Sequence, residues 1–144
     1  MKTLSILTKD WKGGNDIGLF LLRFVAGIAL MYGHGFEKLS VILSGQEINF
    51  MDPIGIGAVP SYYLAGFAEG ICTIFVVGGL FSRFATAILS GNFIVVLFFH
   101  LTAGHGFDTL ELVFFYLVSF IVLTLTGPGK ISLDHWLLKR SKIS

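Results

Sequence analysis

The chain has 144 residues, of which 54% are hydrophobic and 13% charged, with a mean hydropathy of +0.82. A soluble domain carries roughly 25% charged residues, and a sphere of this size has too little interior to hide such a surplus of Phe, Leu, Ile and Val, so lipid is the expected solvent. Ten Lys and Arg against nine Asp and Glu give +1, which offers no field for nucleic acid, and the single cysteine, Cys72, excludes intrachain disulfides and CxxC redox chemistry.

These bounds predict an all-α integral membrane protein, a transmembrane four-helix bundle forming one domain over residues 1–144. Met1 to Asp16 lack the continuous apolar core and small-residue cleavage site of a secretory signal, so the N-terminus is expected to be retained. A membrane helix needs about 20 mostly apolar residues. Four stretches approach or exceed that length, at residues 17–43, 61–80, 82–101 and 109–126. The first is long enough to tilt or to project beyond the bilayer.

Between the first two spans lies a Gly- and Pro-containing loop with Phe50, Ile54 and Ile56 but few charges, expected to dip back onto the membrane surface. Only a tight turn from Gly78-Gly79 to Arg83 separates spans two and three. After span four, Gly127-Pro128-Gly129 breaks the helix, and Ser132 is placed to cap a short helix at residues 132–140. Leu133, Trp136 and Leu137 share a face of that helix, which ends in Lys139-Arg140, the pattern of an interfacial C-terminal helix. Gly66-x-x-x-Gly70 and Ala87-x-x-x-Gly91 are expected to allow close helix approach.

Orientation is set by the cations, because cytoplasmic loops accumulate Lys and Arg. Lys2, Lys9, Lys12, Arg83, Lys130, Lys139, Arg140 and Lys142 all fall on one side of a four-span chain, with Trp11 and Trp136 as interfacial anchors. Glu47, Asp52, His105 and Asp108 fall on the other. Both termini are therefore expected to be cytoplasmic.

Charge inside a bilayer costs about 2.5–3.5 kcal/mol per residue on insertion scales, so each such residue marks a candidate site. Arg23 and His34 are eleven residues apart, three turns of a regular helix, and share a face with Lys38 close by. Glu69 lies about nine residues into span two, near mid-membrane, where its short side chain cannot reach water. His100 closes span three, and Asp108 and Glu111 open span four. The pattern selects Glu69, His100 and Glu111 as candidate catalytic acids and bases, and Arg23, His34 and Lys38 as candidate cofactor-binding residues. Each has a bland alternative: Arg23 snorkelling to the inner interface, Lys38 paired with Glu37 at the mouth of span one, His34 and His100 as packing residues. His105 and Asp108 are loop residues with no role assigned. No HExxH or His-x-x-x-His spacing is present, so no metal site is expected.

Leu22-Arg23, Gly33-His34-Gly35-Phe36-Glu37-Lys38-Leu39, Ala68-Glu69-Gly70, Gly78-Gly79-Leu80-Phe81-Ser82-Arg83, His100, Glu111 and Gly127-Pro128-Gly129-Lys130-Ile131-Ser132-Leu133-Asp134 occur in that order. In these the chain resembles the DoxX family of small bacterial membrane proteins. The resemblance implies a four-helix bundle in the bacterial inner membrane. It also implies redox chemistry, since relatives include a subunit of a thiosulfate:quinone oxidoreductase and proteins linked to thiol and superoxide defence. It carries over no established catalytic residue. The expectation is a membrane subunit of an oxidoreductase system, meeting a quinone near the outer face and other membrane or periplasmic subunits. The competing expectation is a non-catalytic scaffold, in which Glu69 pairs with a cation and no cavity opens beside it. A small transporter or channel ranks below both, because the inner half of the bundle offers few polar residues beyond Arg23 and Asn92.

Overall fold

The computed structural model describes residues 11–142, which are helical and contain no strand. The expectations for Lys2, Lys9 and most of the N-terminal segment lie outside the described residues. Four helices are long and apolar enough to cross a membrane: α1 (Gly14–Ser44), α2 (Ala58–Gly78), α3 (Ser82–Thr102) and α4 (Phe107–Thr126). A short α5 (Leu133–Ser141) comes next, capped as expected by Ser132, whose hydroxyl accepts from the His135 amide at 3.2 Å.

The helix ends are set by local chemistry. α2 stops where Gly79 turns left-handed (φ 69°), letting Gly79 N–H donate to Val76 and Leu80 N–H to Phe75 at 3.1 and 2.9 Å. α2 begins after a loop knotted around Asp52. Its carboxylate accepts from the amides of Ile56 and Gly57 at 3.0 and 2.8 Å and from the Ser61 hydroxyl at 2.9 Å.

In lipid, apolar contact alone gives helices little reason to associate, so close approach over small residues matters more. A Cβ on Gly66 would lie 2.5 Å from Ile42, one on Gly70 2.6 Å from Leu39, and one on Gly35 2.5 Å from the Glu69 carbonyl, so α1 and α2 meet along a glycine seam. Gly91 corrects the sequence expectation: a Cβ there meets nothing within 4 Å, because Gly91 borders open space instead of a packed helix. The core is closed by Ala26, Leu30, Val76, Ala85, Leu89 and Phe120, all fully buried.

Two π-helical turns interrupt this regularity, Met31–Gly35 in α1 and Phe67–Cys72 in α2. Each widens its helix and rotates the residues beyond the turn relative to those before it. The turns pack against each other through Gly35 and Glu69.

Arg23 occupies the opposite end of the bundle. Its guanidinium donates to Val77 O at 2.8 Å, Val76 O at 3.3 Å and Ile131 O, and it sits 5.3 Å from the Phe20 ring centroid. Nearby, Asp134 accepts from the amides of Phe81 and Ser82 at 2.8 and 2.9 Å, and Asp16 accepts from the Lys130 amide at 2.9 Å. The segment after α4 is thereby tied to α1, α2 and α3.

Candidate functional site

Glu69 projects from the π turn of α2 and is 5% exposed. One carboxylate oxygen pairs with Lys38 Nζ at 2.8 Å; the other accepts from Asn92 Nδ2 at 2.9 Å. Three helices thus converge on one acid: α1 supplies a cation, α2 the carboxylate and α3 an amide. A buried carboxylate without such partners would carry a large desolvation penalty.

Two cavities open on either side of this cluster. The larger, about 410 Å³, lies between α2 and α3 beneath the 45–57 loop, and is walled mainly by apolar side chains including Leu64, Phe67, Val95 and Phe99, with Asn92 at its edge. The smaller, about 300 Å³, lies between α1 and α4 and is lined by His34, Lys38, Thr109 and Tyr116 among others. Glu69, His100, Phe50, Met51 and Val96 line both. The loop that sequence placed on the membrane surface contributes Phe50, Met51, Pro53 and Ile54 to the wall of the larger cavity.

Of the residues selected from sequence, His34, Lys38, Glu69 and His100 are gathered here. Two are not. Arg23 lies at the far end of the bundle with both terminal guanidinium nitrogens donating to backbone carbonyls and Nε buried without a partner among the described residues, and Glu111 is exposed and lines neither cavity. Face-sharing arguments for Arg23 and His34 assumed a uniform α-helix, and the π turn containing His34 breaks that assumption. Lys38 pairs with Glu69, whereas the bland sequence reading paired it with Glu37.

Three contributors to the site are not among the residues selected from sequence. His105 was given no role, yet its Nδ1 lies 2.7 Å from Nδ1 of His100, with the rings 4.8 Å apart, so the loop between α3 and α4 extends the site to the bundle surface. Asn92 reads from the sequence as a mid-span polar residue with no site role, and its amide donates to Glu69. Tyr116 resembled any other aromatic of span four; it is 4% exposed and held at 5.1 Å from Phe93 and 6.1 Å from Phe120, ring centroid to centroid. Asn92, three positions before Val95 on a helix, carried the only legible signal of the three, as a polar residue at membrane depth.

Among the described residues no group of three or more His, Cys, Asp or Glu is placed to hold a metal ion. What the arrangement offers is a pair of apolar cavities, a buried carboxylate with two hydrogen-bonding partners, and a histidine pair leading outward. Compared with known proteins, the chain matches the family model described as DoxX over residues 18–102, more than half its length. No curated protein and no solved structure matches it.

Proposed function

The chain belongs to the DoxX family, and from that premise we propose that it is the membrane subunit of an oxidoreductase system and that the cavities around Glu69 receive a quinone. The observation that carries this reading is a buried ionisable cluster, Glu69 with Lys38 and Asn92, forming the wall shared by two cavities in an otherwise apolar bundle.

Quinone reduction consumes two electrons and two protons, so its site needs an apolar slot beside groups that exchange protons. The residues fit that requirement. Phe50, Phe67 and Phe99 supply the slot. Glu69 and His100 border it as proton donors or acceptors, Lys38 pairs with Glu69, and His34 lies across the smaller cavity. The hydrogen bond between His100 and His105 extends this set toward exposed loop residues, a route by which protons equilibrate with water. Electrons arrive from a partner subunit or soluble donor.

In this reading both termini face the cytoplasm of a bacterial inner membrane, α5 lies along the inner leaflet, and the His100 end of the bundle faces outward. Lys12, Arg83, Lys130, Lys139 and Arg140 support that orientation through the excess of cations on the inner side.

A second reading has one observation in its favour: the Lys38–Glu69 pair is the internal cation partner that a structural scaffold requires. The cavities beside it favour the quinone reading. Glu69→Gln separates the two. Under the proposal, membranes carrying the variant retain the assembled complex and lose quinone-linked turnover. Loss of assembly, with normal turnover in whatever complex remains, supports the scaffold.

A further inference from the structure

The two cavities differ in the side chains that line them as well as in position. In the cavity between α2 and α3 most lining side chains are hydrocarbon; Ser61, Asn92, Glu69 and His100 are the exceptions, and the Ser61 hydroxyl and Asn92 Nδ2 already donate to Asp52 and Glu69. The cavity between α1 and α4 gathers the polar groups: His34, Lys38, Thr109 and Tyr116, with Glu69 at the boundary.

Tyr116 stands out within that second set. The residue is 4% exposed, its hydroxyl makes no hydrogen bond among the described residues, and that oxygen is not sealed in the core as Arg23 Nε and Ser82 Oγ are, so it keeps access to the cavity it lines. A phenol on a cavity wall can donate its O–H to whatever occupies the cavity. The ring cannot turn to look for another partner, because it stacks on Phe120 at an interplanar angle of 7° and packs on Phe93 and Phe115 at 5.1 and 5.9 Å. A fixed, unpaired donor lining a cavity is a hydrogen-bonding group waiting for a ligand.

Gly91 is the counterpart in the apolar cavity. It lines the wall, and a side chain built there meets nothing within 4 Å. Its missing side chain therefore keeps cavity volume open and serves no helix contact.

Building on the quinone reading, we infer that the ligand binds in one direction, its polar ring in the α1–α4 cavity hydrogen-bonded to the Tyr116 hydroxyl and its apolar tail in the α2–α3 cavity across Gly91. The ring carbonyl then faces a neutral donor at Tyr116, and the tail passes beneath the Phe50–Ile54 stretch of the loop. Glu69 and His100, which line both cavities, sit where ring and tail meet.

Two substitutions separate the two ends. Tyr116→Phe removes the hydroxyl and preserves the aromatic stack; Gly91→Leu adds a side chain on the wall of the tail cavity at a position where a Cβ meets nothing within 4 Å. Binding is measured on the full-length protein in detergent, with a tailed benzoquinone and with the same ring lacking its tail. Tyr116→Phe should weaken both probes by about tenfold. Gly91→Leu should weaken the tailed probe by about tenfold or more and leave the tailless ring within about twofold. Equal weakening of both probes by Gly91→Leu, or unchanged binding in Tyr116→Phe, overturns the assigned direction while leaving the quinone site standing. Failure of the wild-type protein to bind either probe overturns the quinone reading itself, and the binding direction with it. Thermal unfolding of both variants, expected to match wild type, shows that a binding change is not a folding change.

Discussion

Lys38 Nζ lies 2.8 Å from Glu69 Oε2, with side-chain exposures of 13% and 7%, so the bundle holds a shielded ion pair where its two π-widened helices meet. Such a pair contributes little net stability compared with an apolar replacement, but breaking it from one side strands a charge. Lys38→Met should therefore destabilise the folded protein by about 3 kcal/mol, while Lys38→Met combined with Glu69→Met recovers most of the loss. Thermal unfolding in detergent reads both. A double variant no better than the single one would show that the pair does not act as a unit.

Arg23 offers a prediction independent of any ligand. Its fork serves the carbonyls of Val76, Val77 and Ile131, joining the end of α2 to the segment after α4. Lysine keeps the charge but not the planar geometry. Arg23→Lys should cost about 2 kcal/mol and should speed proteolysis between α4 and α5, with binding at the Glu69 cavities unchanged. Altered ligand affinity without altered stability would return Arg23 to the site.

At the same end, Asp134 acts as a cap borrowed from a distant part of the chain. It accepts from the amides of Phe81 and Ser82, the exposed donors at the start of α3, where Phe81 itself adopts a left-handed conformation (φ 47°). Asp134→Ala should cost about 1–2 kcal/mol, with Asp134→Asn between it and wild type. Hydrogen exchange at Phe81 and Ser82 should accelerate in the same order. Unchanged exchange at these amides would remove the cap from the account.

How much of this was legible beforehand depended on periodicity. The helices were readable because lipid-facing and core-facing residues are both apolar, so runs of about 20 residues mark them by length alone. Their ends at Gly79 and Ser132 were readable from local turn and cap chemistry. Glu69 stood out because a carboxylate at membrane depth needs a reason. Its partner did not, because Lys38 and Glu69 are brought together by a close approach of α1 and α2 over Gly35, and no local pattern reports the π turns. Arg23 and Glu111 were grouped with the site on helical phase and approximate depth, quantities that a widened turn and an outward-facing side chain defeat. Tyr116 was invisible for a different reason: in a chain with 15 Phe and four Tyr, an aromatic residue carries no information until its neighbours are known.

The loop over the larger cavity carries a pH dependence. The Gly57 amide foremost, with the Ser61 hydroxyl and the amides of Ile56 and Gly55, holds the Asp52 carboxyl below the usual carboxylate range, while partial desolvation acts in the opposite direction. A carboxyl whose folded pKa is depressed stabilises the fold fully above its unfolded value, about 4, and loses that contribution as pH falls through the folded pKa. Acidification below about pH 4 should therefore loosen the loop, read as faster exchange at Ile56 and Gly57 after correction for intrinsic rates. Asp52→Asn should exchange faster at neutral pH and show no further acid response. An acid response of wild-type size in that variant would place the titrating group elsewhere.

The central claim is that the cavities around Glu69 are where the ligand resides, and photolabelling with a tailed benzoquinone carrying a photoreactive group, together with peptide mapping, tests it most directly. Label is expected on peptides containing the Phe50–Ile54 loop stretch, Gly91 to His100 or Thr109 to Tyr116, with labelling suppressed by excess unmodified quinone. Competable label confined to the Arg23 end of the bundle, or only diffuse label that excess quinone does not suppress, would contradict it.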